Sequence, residues 1–143
     1  MPEITVTYNR TDATYVATDA QQNTLVFKAG GGDGLTQLGA IGAVGPMLSL
    51  LMAMGACSGI DIVMILEKQR QSFDTLTIEV AGEREQEVTP ALWVKAHVHY
   101  ILTGSVEPAK AEKAAQLSVD KYCSVAETLR RAGCAISYSV RVN

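Results

Sequence analysis

The spacing of apolar and polar positions changes along this chain, and each change marks an element. Residues 3–8 (EITVTY), 14–18 (TYVAT) and 24–28 (TLVFK) are rich in Thr, Val and Tyr and are parted by polar stretches at Asn9–Asp12 and Asp19–Asn23. That pattern predicts an antiparallel meander of three strands. The next stretch, KAGGGDGLTQLGAIGAVG, is dominated by glycine and predicts a flexible connector. No GK[ST] follows it, and it lacks the GxGxxG of a strand-to-helix turn, so it is not read as a phosphate cradle. From Gly45 to Lys68 the chain reads GPMLSLLMAMGACSGIDIVMILEK. Pro46 suits the first turn of a helix, where its missing N–H would be unpaired in any case. The uncharged apolar body that follows predicts a helix to about Arg70, buried on nearly every side, with Cys57 near its middle.

Period two then returns. Thr75–Arg84 and Leu92–Thr103 alternate on either side of the acidic turn Glu85–Pro90, as a second antiparallel pair would. In the later strand Val94, Ala96, Val98, Tyr100 and Leu102 share one face, read as core, and Trp93, Lys95, His97, His99 and Ile101 share the half-wet one. Pro108 opens a second helix that ends at Gly133 after Arg130 and Arg131. Its apolar stripe is Ala111, Ala115, Ser118, Val119, Tyr122, Val125, Ala126 and Leu129, with Cys123 on the edge. Ala135–Val142 closes the chain as a strand. The order βββαββαβ gives an α+β fold, with antiparallel sheets around two central helices in a single domain over residues 1–143.

Composition narrows the function. At 143 residues and 48% hydrophobic, the chain buries roughly 70% of its unfolded surface as one domain. A net charge of -3 and no clustered Lys/Arg face exclude nucleic acid as the expected partner. The start MPEITVTYNR has neither a basic nor an apolar leader region, which predicts a cytoplasmic protein. Leu38–Ile60 carries no charge and is long enough to cross a bilayer. However, Gly39, Gly42, Gly45 and Pro46 interrupt it and Asp61 follows at once, so the expectation is a core helix and no membrane.

Three cysteines are an odd number for a disulfide scaffold, and in a reducing compartment such thiols are either buried or redox-active. Cys57 lies in the first helix, Cys123 in the second and Cys134 just beyond it. By composition alone Cys57 and Cys123 are either small core fillers or a reactive pair. His97 and His99 make an HxH on one strand face, but no third His and no CxxC exists, so a solvated face is expected and no metal.

The two cysteine contexts carry a resemblance. A helix opening with Gly-Pro, continuing as ACSGIDIV around Cys57, and the later DKYCSVAETL around Cys123 resemble the paired signatures of the OsmC/Ohr family of thiol peroxidases. Leu102-Thr103-Gly104 stands where that family has a VTG-like turn. The ACSGID and DKYCSV forms look most like a less characterised OsmC-like branch. The resemblance implies an intertwined homodimer with two sites at the subunit interface. It makes Cys57 the peroxidatic thiol that attacks an organic hydroperoxide and Cys123 the resolving thiol that closes a disulfide, with a dithiol reductant, lipoyl-type in some members, restoring both and no other cofactor. In the well-studied members a glutamate follows the helix-opening proline and orients an arginine at the thiolate; here that position is Met47, and Arg10 is the only arginine of the first hairpin. Asp61, four residues after Cys57 on the same helix face, is expected to be structural. An alternative that follows from Met47 is an OsmC-fold redox sensor or apolar-ligand binding protein. Cys134 matches no family cysteine.

Overall fold

The computed structural model describes residues 3–36 and 39–143, in two compact units that divide after Ser49. In the first unit, β1 (Ile4–Asn9), β2 (Thr14–Asp19) and β3 (Thr24–Phe27) form the expected antiparallel meander. Its turns are held by side chains that mimic backbone acceptors. Asp12 Oδ1 accepts from the Thr14 N–H and hydroxyl, and Asp19 Oδ1 accepts from the N–H groups of Gln21 and Asn23. The face that carries Ile4, Val6, Tyr8, Tyr15 and Leu25 is apolar, yet these five side chains are 46–62% exposed.

The glycine-rich stretch is not a plain connector. β4 (Gly32–Thr36) and β5 (Gly39–Ala43) pair as an antiparallel hairpin, while the tip of that stretch, residues 37 and 38, lies outside the described residues. Strand pairing is made by the backbone, so a segment poor in β-propensity can still form a ladder.

The second unit is built on α1 (Pro46–Lys68), which the unit boundary cuts in its first turn. Leu51, Met54, Gly55, Ser58, Gly59, Ile62 and Leu66 are buried at spacings of three and four, a single stripe. Leu48, Leu50, Met52, Ile60 and Met64 are 39–62% exposed. The expectation of burial on nearly every side is therefore corrected: one copy of the chain covers one stripe of this helix. By length and composition α1 is also apolar enough to cross a membrane, a test that core helices pass as well.

β6 (Thr75–Arg84), β7 (Trp93–Thr103) and β8 (Ala135–Val142) form a sheet in the order β6-β7-β8. The β6–β7 pair is antiparallel as expected, but β8 runs parallel to β7. The sequence between them crosses over through helices, which is what a parallel connection requires. Ala96, Val98, Tyr100 and Leu102 point into the core as predicted, whereas Val94 is 36% exposed. α1 lies close on this sheet: a Cβ on Gly59 would stand 2.5 Å from Ile78 Cδ1. The small residues at Gly55 and Gly59 thus admit β6 side chains. At the end of β7, Gly104 has φ +112 and a Cβ there would meet the Asp74 N at 2.8 Å, so the turn requires glycine.

The predicted second helix is broken in two. α2 (Pro108–Leu117) runs into a π turn over Ser118–Tyr122, and α3 (Ser124–Arg131) starts afresh. The Cys123 N–H reaches back five residues to the Ser118 carbonyl at 2.7 Å. Cys123 itself is extended, with φ -74 and ψ 106. The added residue in the turn rotates the expected stripe: Tyr122 swings out to 51% exposure and Cys123 moves from its edge into the core at 2%.

Candidate functional site: two thiols in a polar bracket

Cys57 sits midway along α1, half-buried and packed against the core cluster. Cys123 is the N-cap of α3, and its Sγ accepts the Ala126 N–H at 3.4 Å. Both are free thiols. Cys57 is close enough to raise the Cys123 thiol, so the fold brings near each other two cysteines 66 positions apart in the chain. Burial pushes the Cys123 thiol up from 9.0 to about 11; the Ala126 N–H opposes the rise and the Cys57 thiol adds to it.

A set of hydroxyls and one carboxylate brackets the pair. The Tyr100 hydroxyl, on the inward face of β7, donates to Ser58 Oγ at 2.6 Å. Burial first, then the nearby Cys123, Asp61 and Cys57, hold the Tyr100 phenol at about 12 even though the Ser58 contact works the other way. Ser58 Oγ donates in turn to the Gly55 carbonyl at 3.2 Å. Ser118 is fully buried, and its hydroxyl is shared between the Ser58 carbonyl at 2.9 Å and Asp61 Oδ2 at 3.1 Å. Asp61 is half-buried and accepts from the Ser118 hydroxyl.

The other residues singled out in the sequence fall elsewhere. Met47 is the second residue of α1 and half-buried. Arg10 is exposed in the β1–β2 turn, within the first unit. His97 bridges Ser137 and Ser139 on β8 at 2.7 and 2.8 Å, and His99 reaches Ser139 at 2.6 Å. No group of three metal-ligating side chains occurs among the described residues. Cys134 is buried after α3, and burial raises its thiol above 9.0.

Tyr100, Ser58 and Ser118 were not anticipated at the thiols. One signal was present: Ser118 interrupts an otherwise apolar stripe, and a hydroxyl in such a place needs a partner. A tyrosine on an inward strand face makes the same demand.

Fold and thiol pair together define an OsmC-type α+β protein. The OsmC-like protein family model matches residues 38–139, and the chain belongs to that family. Protein YhfA of Escherichia coli (strain K12) is 42% identical over 91 residues, which are 63% of this chain and 67% of that one. A crystal structure of a hypothetical protein from Aquifex aeolicus VF5 superposes with a TM-score of 0.77 at 28% identity, covering 100% of this chain and 98% of that one. An organic hydroperoxide resistance protein OsmC from Legionella pneumophila shares the fold, with a TM-score of 0.66 at 15% identity over 96% of this chain and 93% of that one.

Proposed function

We propose that the chain is a thiol-dependent peroxidase that reduces organic hydroperoxides in oxidative stress defence, with Cys57 as the peroxidatic and Cys123 as the resolving thiol. The observation that carries this reading is that two free thiols, half-buried Cys57 and buried Cys123, come close enough for Cys57 to raise the Cys123 thiol. Family membership and a fold neighbour named for organic hydroperoxide resistance support it.

The chemistry needs only these groups and the substrate. The Cys57 thiolate attacks the outer peroxide oxygen, the O–O bond breaks, and the alkoxide leaves and takes a proton as the alcohol. Cys57 is left as a sulfenic acid. Cys123 attacks that sulfur; an S–S bond forms and the hydroxyl leaves as water. A dithiol reductant, lipoyl-type in this reading, then exchanges with the disulfide and restores both thiols. The polarity of the two positions suits the division of labour. Cys57 is partly open, while Cys123 is buried and its thiol is held up at about 11, which favours the protonated form.

The active form in this reading is a homodimer of single-domain chains working in the cytoplasm. Its support is the bare apolar surface: Leu48, Met52, Ile60 and Met64 on α1 and Ile4, Val6 and Leu25 on the first sheet are 49–62% exposed. Soluble monomers rarely leave this much apolar surface open. Size measurement by light scattering at micromolar concentration tests it, with a dimer expected and a stable monodisperse monomer contradicting it.

A second reading, an OsmC-fold redox sensor or apolar-ligand binding protein, is favoured by Met47, which puts a thioether where the resemblance places a glutamate. Steady-state consumption of cumene hydroperoxide with a dithiol reductant separates the two. Turnover that depends on Cys57 supports the peroxidase; a thiol that is oxidised once without turning over favours the sensor.

A further inference from the structure

We propose that Ser118 and Asp61 form a clamp that positions Cys123 for disulfide closure, a role that rests on the thiol-pair reading and extends it to two residues outside the pair. Ser118 is the first residue of the π turn, and its carbonyl accepts the Cys123 N–H at 2.7 Å. Its hydroxyl is held by α1 at the Ser58 carbonyl and at Asp61 Oδ2, 2.9 and 3.1 Å away. Ser58 is the neighbour of Cys57 in sequence, and Asp61 stands one helical turn beyond it. One residue therefore grips the backbone that carries Cys123 and the helix that carries Cys57.

The π turn makes this grip necessary. A continuous helix would place Cys123 at the rim of the apolar stripe, whereas one additional residue in the turn brings it under α1. Such turns are rare, appear mostly as single turns within helices and are frequent at functional sites. Within the turn Ser118 is fully buried, and its hydroxyl contacts provide an external anchor. The carboxylate makes the bond charge-assisted, the stronger kind. Asp61 and Ser118 are positioning residues here, because neither touches peroxide or takes part in bond exchange.

Two measurements test the clamp and keep it separate from the peroxidase reading. First, the full-length protein is equilibrated in glutathione redox buffers, where oxidised glutathione converts the Cys57 and Cys123 thiols to their disulfide and leaves two reduced glutathiones. The equilibrium gives the effective concentration of one thiol at the other without any peroxide. Loss of a hydrogen bond to a charged group lowers it about tenfold in Asp61→Ala and Ser118→Ala. Asp61→Asn, which keeps an acceptor oxygen and loses the charge, recovers part of the wild-type value. Leu102→Ala, a buried change on β7 with no hydrogen bond to the clamp, controls for general destabilisation and leaves the value unchanged. Second, after one equivalent of cumene hydroperoxide, Asp61→Ala and Ser118→Ala accumulate a larger fraction of Cys57 sulfenate that dimedone traps than the wild type does.

Equal effective concentrations in wild type, Asp61→Ala and Ser118→Ala overturn the clamp, as does an equal loss in Leu102→Ala. Should no variant react with peroxide while the glutathione values follow the predicted order, the clamp stands and the peroxidase reading fails.

Discussion

The two cysteines sit on helices of opposite character. α1 is unbroken over its 23 residues, and Cys57 simply occurs where its half-buried flank passes the core. The segment that carries Cys123 is interrupted by a π turn, and the cysteine becomes an N-cap. The first thiol is placed by regular geometry and remains reachable; the second is placed by a local irregularity and is sealed at 2% exposure. In the proposed chemistry a resolving thiol has to meet one sulfur and avoid everything else, a restriction that irregular backbone held by an outside contact would provide.

The comparison can be broken most severely at the reachable thiol. Cys57→Ser removes the attacking sulfur, and hydroperoxide consumption is expected to fall by at least about hundredfold, measured by peroxide loss under dithiol reductant. Cys123→Ser is expected to retain the first oxidation and lose the disulfide, so that a single oxygen is added to Cys57 and is visible as a 16 Da gain by intact mass. A variant that oxidised with equal yield of disulfide would show that another cysteine resolves.

Packing gives a smaller effect. Gly59→Leu forces a side chain into the space where Ile78 Cδ1 stands 2.5 Å from a Cβ position. Overpacking of this kind costs about 1–3 kcal/mol, read from urea unfolding. The cost falls on the α1–β6 contact, so it should lower stability more than it alters the exchange between the thiols.

A pH effect on the sealed thiol falls in a similar range. Cys123 is raised in the folded protein from 9.0 to about 11, so its contribution to stability is fully present below pH 9. Above that the unfolded chain ionises first, and the contribution is lost as pH climbs toward 11. Tyr100 behaves likewise between 10.0 and about 12. Urea midpoints should therefore decline from pH 9 upward, and Cys123→Ala should flatten the lower part of that decline.

Much of this architecture was legible in the residues because it depends on period. The alternation in Leu92–Thr103 gave the inward row of Ala96, Val98, Tyr100 and Leu102, and the meander followed from its Asn and Asp turns. The same reading overestimated the burial of α1, since an apolar sequence records what a helix needs to bury and not which chain supplies the cover. The break at Ser118 had no local signal: no Gly or Pro lies between Pro108 and Gly133, and the groups that hold Ser118 come from about 60 residues earlier in the chain. The β4–β5 hairpin was missed for a related reason, because glycines hide a ladder that backbone groups make by themselves. The thiol pair was proposed from a family resemblance, whereas its polar bracket of Tyr100, Ser58 and Ser118 emerged only when separate elements were brought together.

The most direct test is to treat fully reduced protein with one equivalent of cumene hydroperoxide, count the thiols lost and map the disulfide by mass spectrometry. The account predicts rapid loss of two thiols per chain into a Cys57–Cys123 bridge, with hydrogen peroxide reacting more slowly. No thiol loss, or a bridge that uses Cys134 in place of either, would contradict it.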